Sequence, residues 1–116
     1  MGGVRAGNLY GILEMLILRA LELAGPLHGV EVADHIASRS KGVFRIEEGS
    51  LYPALHRLQA KGHVDWEWRK TDGGKRAKYY EITNRGRRAA AEELLGWVDS
   101  TRAILAVLEV RSEELA

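Results

Sequence analysis

Residues 48–82 read EGSLYPALHRLQAKGHVDWEWRKTDGGKRAKYYEI, and inside this stretch the chain changes from a helical to an extended rhythm. Leu51, Leu55 and Leu58 recur at three- and four-residue spacing, which predicts a helix from Gly49 or Ser50 to Lys61 with those leucines as its buried side. Pro53 then falls in the first turn, where few backbone donors are engaged, and Gly62 ends the helix. From His63 the pattern alternates. Val64, Trp66 and Trp68 share one face of a strand, with both tryptophans expected to pack beneath it. Thr71-Asp72-Gly73-Gly74 supply a hairpin turn, and the returning strand Lys75 to Ile82 puts Tyr80 and Ile82 on one face.

Upstream, Asn8 is expected to cap a helix whose apolar positions Leu9, Ile12, Leu13, Leu16, Ile17, Ala20 and Leu21 follow helical spacing. Met15, Leu18 and Leu23 make its other side apolar too, so it must be buried in the core or against a second chain. Gly25-Pro26 stops it. Val30, Ala33, Ile36 and Ala37 mark a second helix, about His28 to Ser40, closed by Lys41-Gly42. Val43 to Ile46 has room for one short strand. Downstream, Thr83 or Asn84 caps a final helix reaching Val110, about 40 Å at ~1.5 Å per residue. Ala90, Leu94, Trp97, Thr101, Ile104 and Leu108 repeat on it with the spacing of a coiled-coil seam.

The expected fold is therefore mainly α with a small β-hairpin. Residues 1–83 form a winged helix-turn-helix and residues 84–116 a long C-terminal dimerisation helix, both in one compact unit. With 116 residues the chain suits a single core, and its 28% charged content is that of a soluble globular protein. It holds no cysteine, which excludes disulfides and thiolate metal sites. Met1 to Asn8 contain no apolar run, and Ile12 to Leu18 is too short to span a bilayer, so a cytoplasmic, nucleoid-associated protein is expected, with no membrane partner.

The net charge of +1 conceals an uneven distribution. Residues 1–40 sum to −1, residues 41–85 carry ten basic and six acidic side chains, and residues 86–116 sum to −2. Five bases between Arg69 and Lys78 stand against Asp72 alone, the electrostatic footprint of a nucleic-acid binder. In a winged helix the third helix enters the major groove and the hairpin reaches the flanking backbone. Ser50, Tyr52, Pro53, His56, Arg57 and Lys61 are the candidate DNA-contacting residues of that helix, and Lys75, Arg76 and Lys78 those of the wing. Arg57 reads as outward-facing, with no acid one turn away.

The seam of Leu94, Trp97, Thr101, Ile104 and Leu108 is expected to meet a second chain, and Leu13, Leu16 and Ile17 of the first helix, buried in the core or against that chain, are candidates for the same homodimer interface. Trp97 most simply packs in that interface, and a sharper alternative has Leu16, Trp97, Val98 and Thr101 lining a pocket for a flat effector. His28 and His35 share a helix face, whereas His56 and His63 sit elsewhere and no acids join them, so no metal or other cofactor is expected. No nucleophile–base–acid spacing or phosphate-cradling loop suggests an enzyme. A winged-helix module that docks protein, and a metal or ligand sensor of another winged-helix family, remain as rival uses of the fold.

Four segments narrow the choice: Gly11-Ile12-Leu13-Glu14-Met15-Leu16-Ile17-Leu18, Pro26-Leu27-His28-Gly29, Glu48 to Leu58, and Lys78-Tyr79-Tyr80-Glu81-Ile82-Thr83. Together they closely resemble the PadR family of bacterial transcriptional regulators, over residues 9 to about 95 in the right order. Val30 stands where that family usually has an aromatic, and Ile82 where it has leucine. The resemblance implies a winged-helix dimer joined through its first and last helices that represses a nearby promoter, with a roughly palindromic DNA operator. It also implies Ser50, Tyr52 and Arg57 at the DNA, Lys75, Arg76 and Lys78 in the wing, and release by a small hydrophobic or aromatic effector near the dimer interface. The short tail resembles the compact branch with one C-terminal helix.

Overall fold

The computed structural model describes residues 6–111 and 113, with side chains from residue 12 onward. The outer ends of the two expected units, residues 1–5, 112 and 114–116, and the side chain of Leu9 lie outside that description. The elements run α1 (Ala6–Ala24), β1 (Leu27–His28), α2 (Gly29–Arg39), α3 (Glu48–Ala60), β2 (Val64–Lys70), β3 (Arg76–Ile82) and α4 (Asn84–Val107). The fold is mainly helical with one three-stranded antiparallel sheet of order β1-β3-β2.

α1 runs through the middle of the molecule and touches α2, α3, α4 and β3. Ile17, Leu18 and Leu21 are fully buried against Val32, Leu51, Leu55, Leu58 and Val64, as expected for a helix apolar on nearly every side. It already includes Asn8, expected as its cap. His28 precedes α2, and its backbone N–H donates to Glu31 Oε1 at 3.1 Å, satisfying a donor that the helix leaves open.

The short strand expected at Val43 to Ile46 does not form. Lys41 (φ 53) and Gly42 (φ 82) turn the chain sharply, and the Phe44 N–H donates to Ser40 Oγ at 2.9 Å. The Val43 N–H donates to the Ser40 carbonyl at 3.1 Å, so the first donors of the segment are used locally. The edge of β3 is taken instead by β1, through Leu27↔Tyr80 and His28↔Tyr79.

α3 begins at Glu48, earlier than its leucine spacing suggested, so Pro53 is its sixth residue and lies in the second turn rather than the first. There it cannot donate to the Gly49 carbonyl. Each of the buried Leu51, Leu55 and Leu58 contributes about 1.5–3 kcal/mol, which together outweighs the roughly 3 kcal/mol cost of an internal proline.

β2 and β3 pair without interruption from Val64↔Ile82 to Lys70↔Arg76. Burial fades along this ribbon. Val64, Tyr80 and Ile82 belong to the core, Trp66 packs against it, and Trp68, expected beneath the sheet, is 51% exposed. The ribbon projects past the helices, so the face that is core at Val64 has become surface four residues later.

Thr83 caps α4: its Oγ1 accepts from Gly86 N–H at 3.0 Å and donates to the Gly62 carbonyl at 2.7 Å. Gly86 passes so close to the turn after α3 that a Cβ there would collide with the His63 carbonyl oxygen. This cap fastens the start of α4 to the turn between α3 and β2. Beyond Ala90 the helix leaves the core, and Leu95, Ile104, Val107 and Leu108 are all more than half exposed.

Candidate nucleic-acid interface

α3 turns its leucines inward, which leaves Gly49, Ser50, Tyr52, Pro53, His56 and Ala60 exposed on the opposite side. Tyr52 leans toward the start of α2. A Cβ at Gly29 would lie 2.6 Å from the Tyr52 hydroxyl oxygen and 2.8 Å from its ring, so glycine at that position is what lets the ring seat there. Tyr52 is nonetheless 42% exposed. Its ring is therefore anchored at one edge and open at the other.

The wing faces this ring across a concavity of about 510 Å³, whose lining includes Tyr52, Val30, Lys75, Arg76, Lys78 and Tyr80. The first residues of α2 open onto the same space, adding a helix N-terminus to a cluster of cations. Three of the wing bases and Tyr52 of α3, far apart in sequence, are thus gathered around one recess. Burial, followed by the nearby Tyr52, pushes the Tyr80 hydroxyl above its ordinary pKa, so it is a neutral group at the floor of this recess.

The wing cations are organised by aromatic rings. Trp66 and Trp68 meet edge to face at 5.6 Å, Lys78 Nζ lies 4.2 Å from the Trp66 ring centre, and Arg76 lies 5.1 Å from that of Trp68. An aromatic face of this kind holds a cationic group without supplying an opposing charge. Trp68 and Lys70 were not among the candidates from sequence, yet the strand register puts them on the same face as Arg76 and Lys78. The alternation of Val64, Trp66 and Trp68 carried that signal, but its outer end was taken for core.

Arg57 and Lys61 behave differently. Arg57 Nε donates to Glu14 Oε2 at 2.9 Å and Lys61 Nζ to Glu14 Oε1 at 2.7 Å, so Arg57, read as outward-facing without an acid, is half-buried and engaged with α1. Periodicity within α3 could not disclose a partner 43 residues away. Burial raises the Glu14 pKa, but the hydrogen bonds and charges of Lys61 and Arg57 outweigh it and hold the carboxyl below its ordinary value.

This arrangement can be set beside known proteins. The sequence pattern of the Transcriptional regulator PadR-like family matches residues 17–92. The chain belongs to the PadR-like family. A transcriptional regulator of Mycobacterium tuberculosis is 34% identical over 79 residues, covering 68% of this chain and 70% of that one. Among solved structures, a PadR family transcriptional regulator from Eggerthella lenta superposes with a TM-score of 0.71 at 30% identity, covering 90% of this chain and 88% of its own. A PadR-like transcriptional regulator from Bacillus cereus gives a TM-score of 0.74 at 24% identity, with 91% and 100% covered, which speaks for the shared fold.

In this PadR-like regulator the residues expected at a dimer contact separate into two groups. Leu13 and Ile17 are taken up by the chain's own core, Ile17 with no exposure at all. Leu94, Thr101 and Ile104 are exposed on α4 and Leu108 at its C-cap, and Trp97 is half-buried beside them. Leu16 lines a groove of about 280 Å³ with Arg19, Leu23, His35 and Phe44. Trp97, Val98 and Thr101 are not part of its lining, so the four residues expected around an effector do not share that cavity. Among the described residues no helix is long and apolar enough to cross a membrane, and no three His, Cys, Asp or Glu side chains converge as metal ligands.

Proposed function

We propose that this PadR-like regulator is a homodimeric, sequence-specific DNA-binding repressor of a nearby promoter. The observation that carries the reading is the recess that joins Tyr52 of α3 to Lys75, Arg76 and Lys78 of the wing, where a phosphate backbone would meet converging cations. Ser50, Tyr52, Pro53 and His56 enter the major groove, Arg57 and Lys61 flank it, and the wing bases fix the register. In this reading α4 is the dimerisation helix. Its outer four turns carry an apolar row too exposed for a lone chain, and a second copy would cover Leu94, Ile104 and Leu108. Two protomers would place their α3 helices about one DNA turn apart (~34–36 Å) on a roughly palindromic operator in the cytoplasmic nucleoid. A small flat effector would bind between the paired α4 helices near Trp97, Val98 and Thr101, where a change of seam angle alters the spacing of the α3 helices.

The test is equilibrium binding of the purified protein to its own upstream promoter fragment and to an unrelated fragment across a salt series. Promoter-preferring, salt-sensitive binding is expected, and equal weak binding to both would overturn the reading. Dimerisation has its own check: Leu108→Asp puts a charge on the exposed row, and sedimentation should show a shift toward monomer with a parallel loss of promoter binding.

A further inference from the structure

The recess between α3 and the wing offers more than a phosphate backbone alone can use. Among the described residues that line it, Lys75, Arg76 and Lys78 carry full charges and none is an acid. Arg76 and Lys78 are steadied by the rings of Trp68 and Trp66, which supply no opposing charge. The other wall is aromatic and apolar: Tyr52 is 42% and Val30 52% exposed, and the neutral Tyr80 closes the floor. The two kinds of lining are separated along β3, since Tyr80, Lys78 and Arg76 follow one another on one face toward the tip, about 13 Å at ~3.3 Å per residue. With a volume of about 510 Å³ the space matches small-molecule sites, which span ~300–1,000 Å³. A duplex fills such a hollow with its phosphodiester chain, because its bases are stacked and paired inside the helix. A free nucleotide brings a flat ring as well as phosphates, and uses both ends of the recess at once.

We propose that this recess binds a nucleoside polyphosphate, and that the nucleotide and the promoter compete for it. The base lies against Tyr52 and Val30, at the end that Tyr80 closes, and the phosphates run outward over Lys78, Arg76 and Lys75. The competition rests on the DNA-binding reading above, whereas the nucleotide site itself does not. Its mechanism is exclusion. The cations that a phosphate backbone would neutralise are already neutralised by the nucleotide, so the bound form loses affinity for any duplex. By reciprocity, DNA lowers the affinity for nucleotide by the same factor. A regulator built in this way leaves its promoter when free nucleotide is abundant, through a site separate from the α4 seam.

The experiment titrates the full-length protein with ATP by calorimetry at fixed ionic strength, without divalent metal, and with inorganic triphosphate as the anionic half alone. ATP is expected to bind about tenfold more tightly than inorganic triphosphate, the gain from one base stacked on an aromatic ring. Tyr52→Ala should remove that gain and leave inorganic triphosphate unchanged. Val30→Asp alters a half-exposed position, guards against a Tyr52→Ala variant that does not fold, and should weaken both anions about fivefold through one added charge. No binding of ATP, equal affinity for ATP and inorganic triphosphate, or wild-type ATP affinity in the folded variants would overturn the proposal. A second arm measures promoter binding at constant ionic strength in rising ATP, where the apparent Kd should climb once ATP exceeds its own Kd. ATP that binds without displacing the promoter would overturn the competition. A protein that binds ATP and shows no promoter preference would instead sink the DNA-binding reading and leave the nucleotide site standing, so the two failures are distinguishable.

Discussion

Two cationic surfaces in this molecule are built on opposite plans. On the flank of α3, Arg57 and Lys61 are held by a buried carboxylate, at 2.9 and 2.7 Å. On the wing, Arg76 and Lys78 are held over tryptophan rings, at 5.1 and 4.2 Å. An acid fixes a cation by cancelling it, whereas an aromatic face fixes it and leaves its charge for a partner. In the proposed DNA-binding reading the wing is therefore the surface fitted to grip a phosphate backbone, whereas the charge of the α3 flank is offset by Glu14. Equal counts of lysine and arginine would hide the difference.

The comparison breaks most visibly at the wing. Replacing Arg76 and Lys78 together by alanine should lower the salt slope by about 2 and weaken binding to promoter and unrelated fragment alike, roughly 100-fold at moderate salt. A loss confined to the promoter would mean that the wing reads bases, and the division of labour would fail. A second, smaller effect is expected where the surfaces meet. Gly29→Ala places a methyl 2.6 Å from the Tyr52 hydroxyl oxygen, and the ring must swing outward to admit it. Promoter binding should fall about tenfold with little change in binding to the unrelated fragment, if the seated ring contributes to sequence reading. Binding assays on the two fragments measure both variants.

Much of this was legible in the sequence because it is local. The switch from three- and four-residue spacing at Leu51, Leu55 and Leu58 to alternation at Val64 and Trp66 specifies a helix and then a strand. Thr83 as a cap and Gly73-Gly74 as a turn follow from residue chemistry alone. What escaped is what depends on other elements. Leu27–His28 rather than Val43 to Ile46 pairs with the edge of β3, and the tight turn at Lys41-Gly42 that directs the latter elsewhere depends on contacts no local pattern contains. The place where the wing leaves the core, and hence the exposure of Trp68, depends on what packs against the strand and not on its own alternation. Arg57 found its acid on α1, outside any window of helical spacing.

The aromatic support of the wing can be sharpened with a single change. Trp68→Ala removes the ring beneath Arg76 and beside Lys78, which lie 5.1 and 5.7 Å from its centre. An exposed cation–π contact is worth about 0.5–1 kcal/mol, so DNA affinity should drop roughly two- to fivefold while the salt slope stays near that of the wild type. A slope reduced as far as in the double alanine variant would show the ring to be a condition for the contacts rather than their support.

The smallest effect concerns stability and isolates the acid-held surface. Burial raises the Glu14 carboxyl, and the hydrogen bonds and charges of Lys61 and Arg57 bring it below its ordinary value of 4.5. A depressed folded-state pKa means that the clamp stabilises the fold above the unfolded value and loses that contribution as pH falls through the folded one. Glu14→Gln lacks the titrating group. Its Tm should lie about 5 °C below the wild type at neutral pH, and the gap should shrink on acidification from about pH 5 downward. The wing offers the control: Trp68→Ala carries no lost titration, so its small offset from the wild type should stay constant over the same range. A gap for Glu14→Gln that is equally constant would mean that the carboxylate contributes shape rather than charge, and the contrast between the two cationic surfaces would reduce to packing.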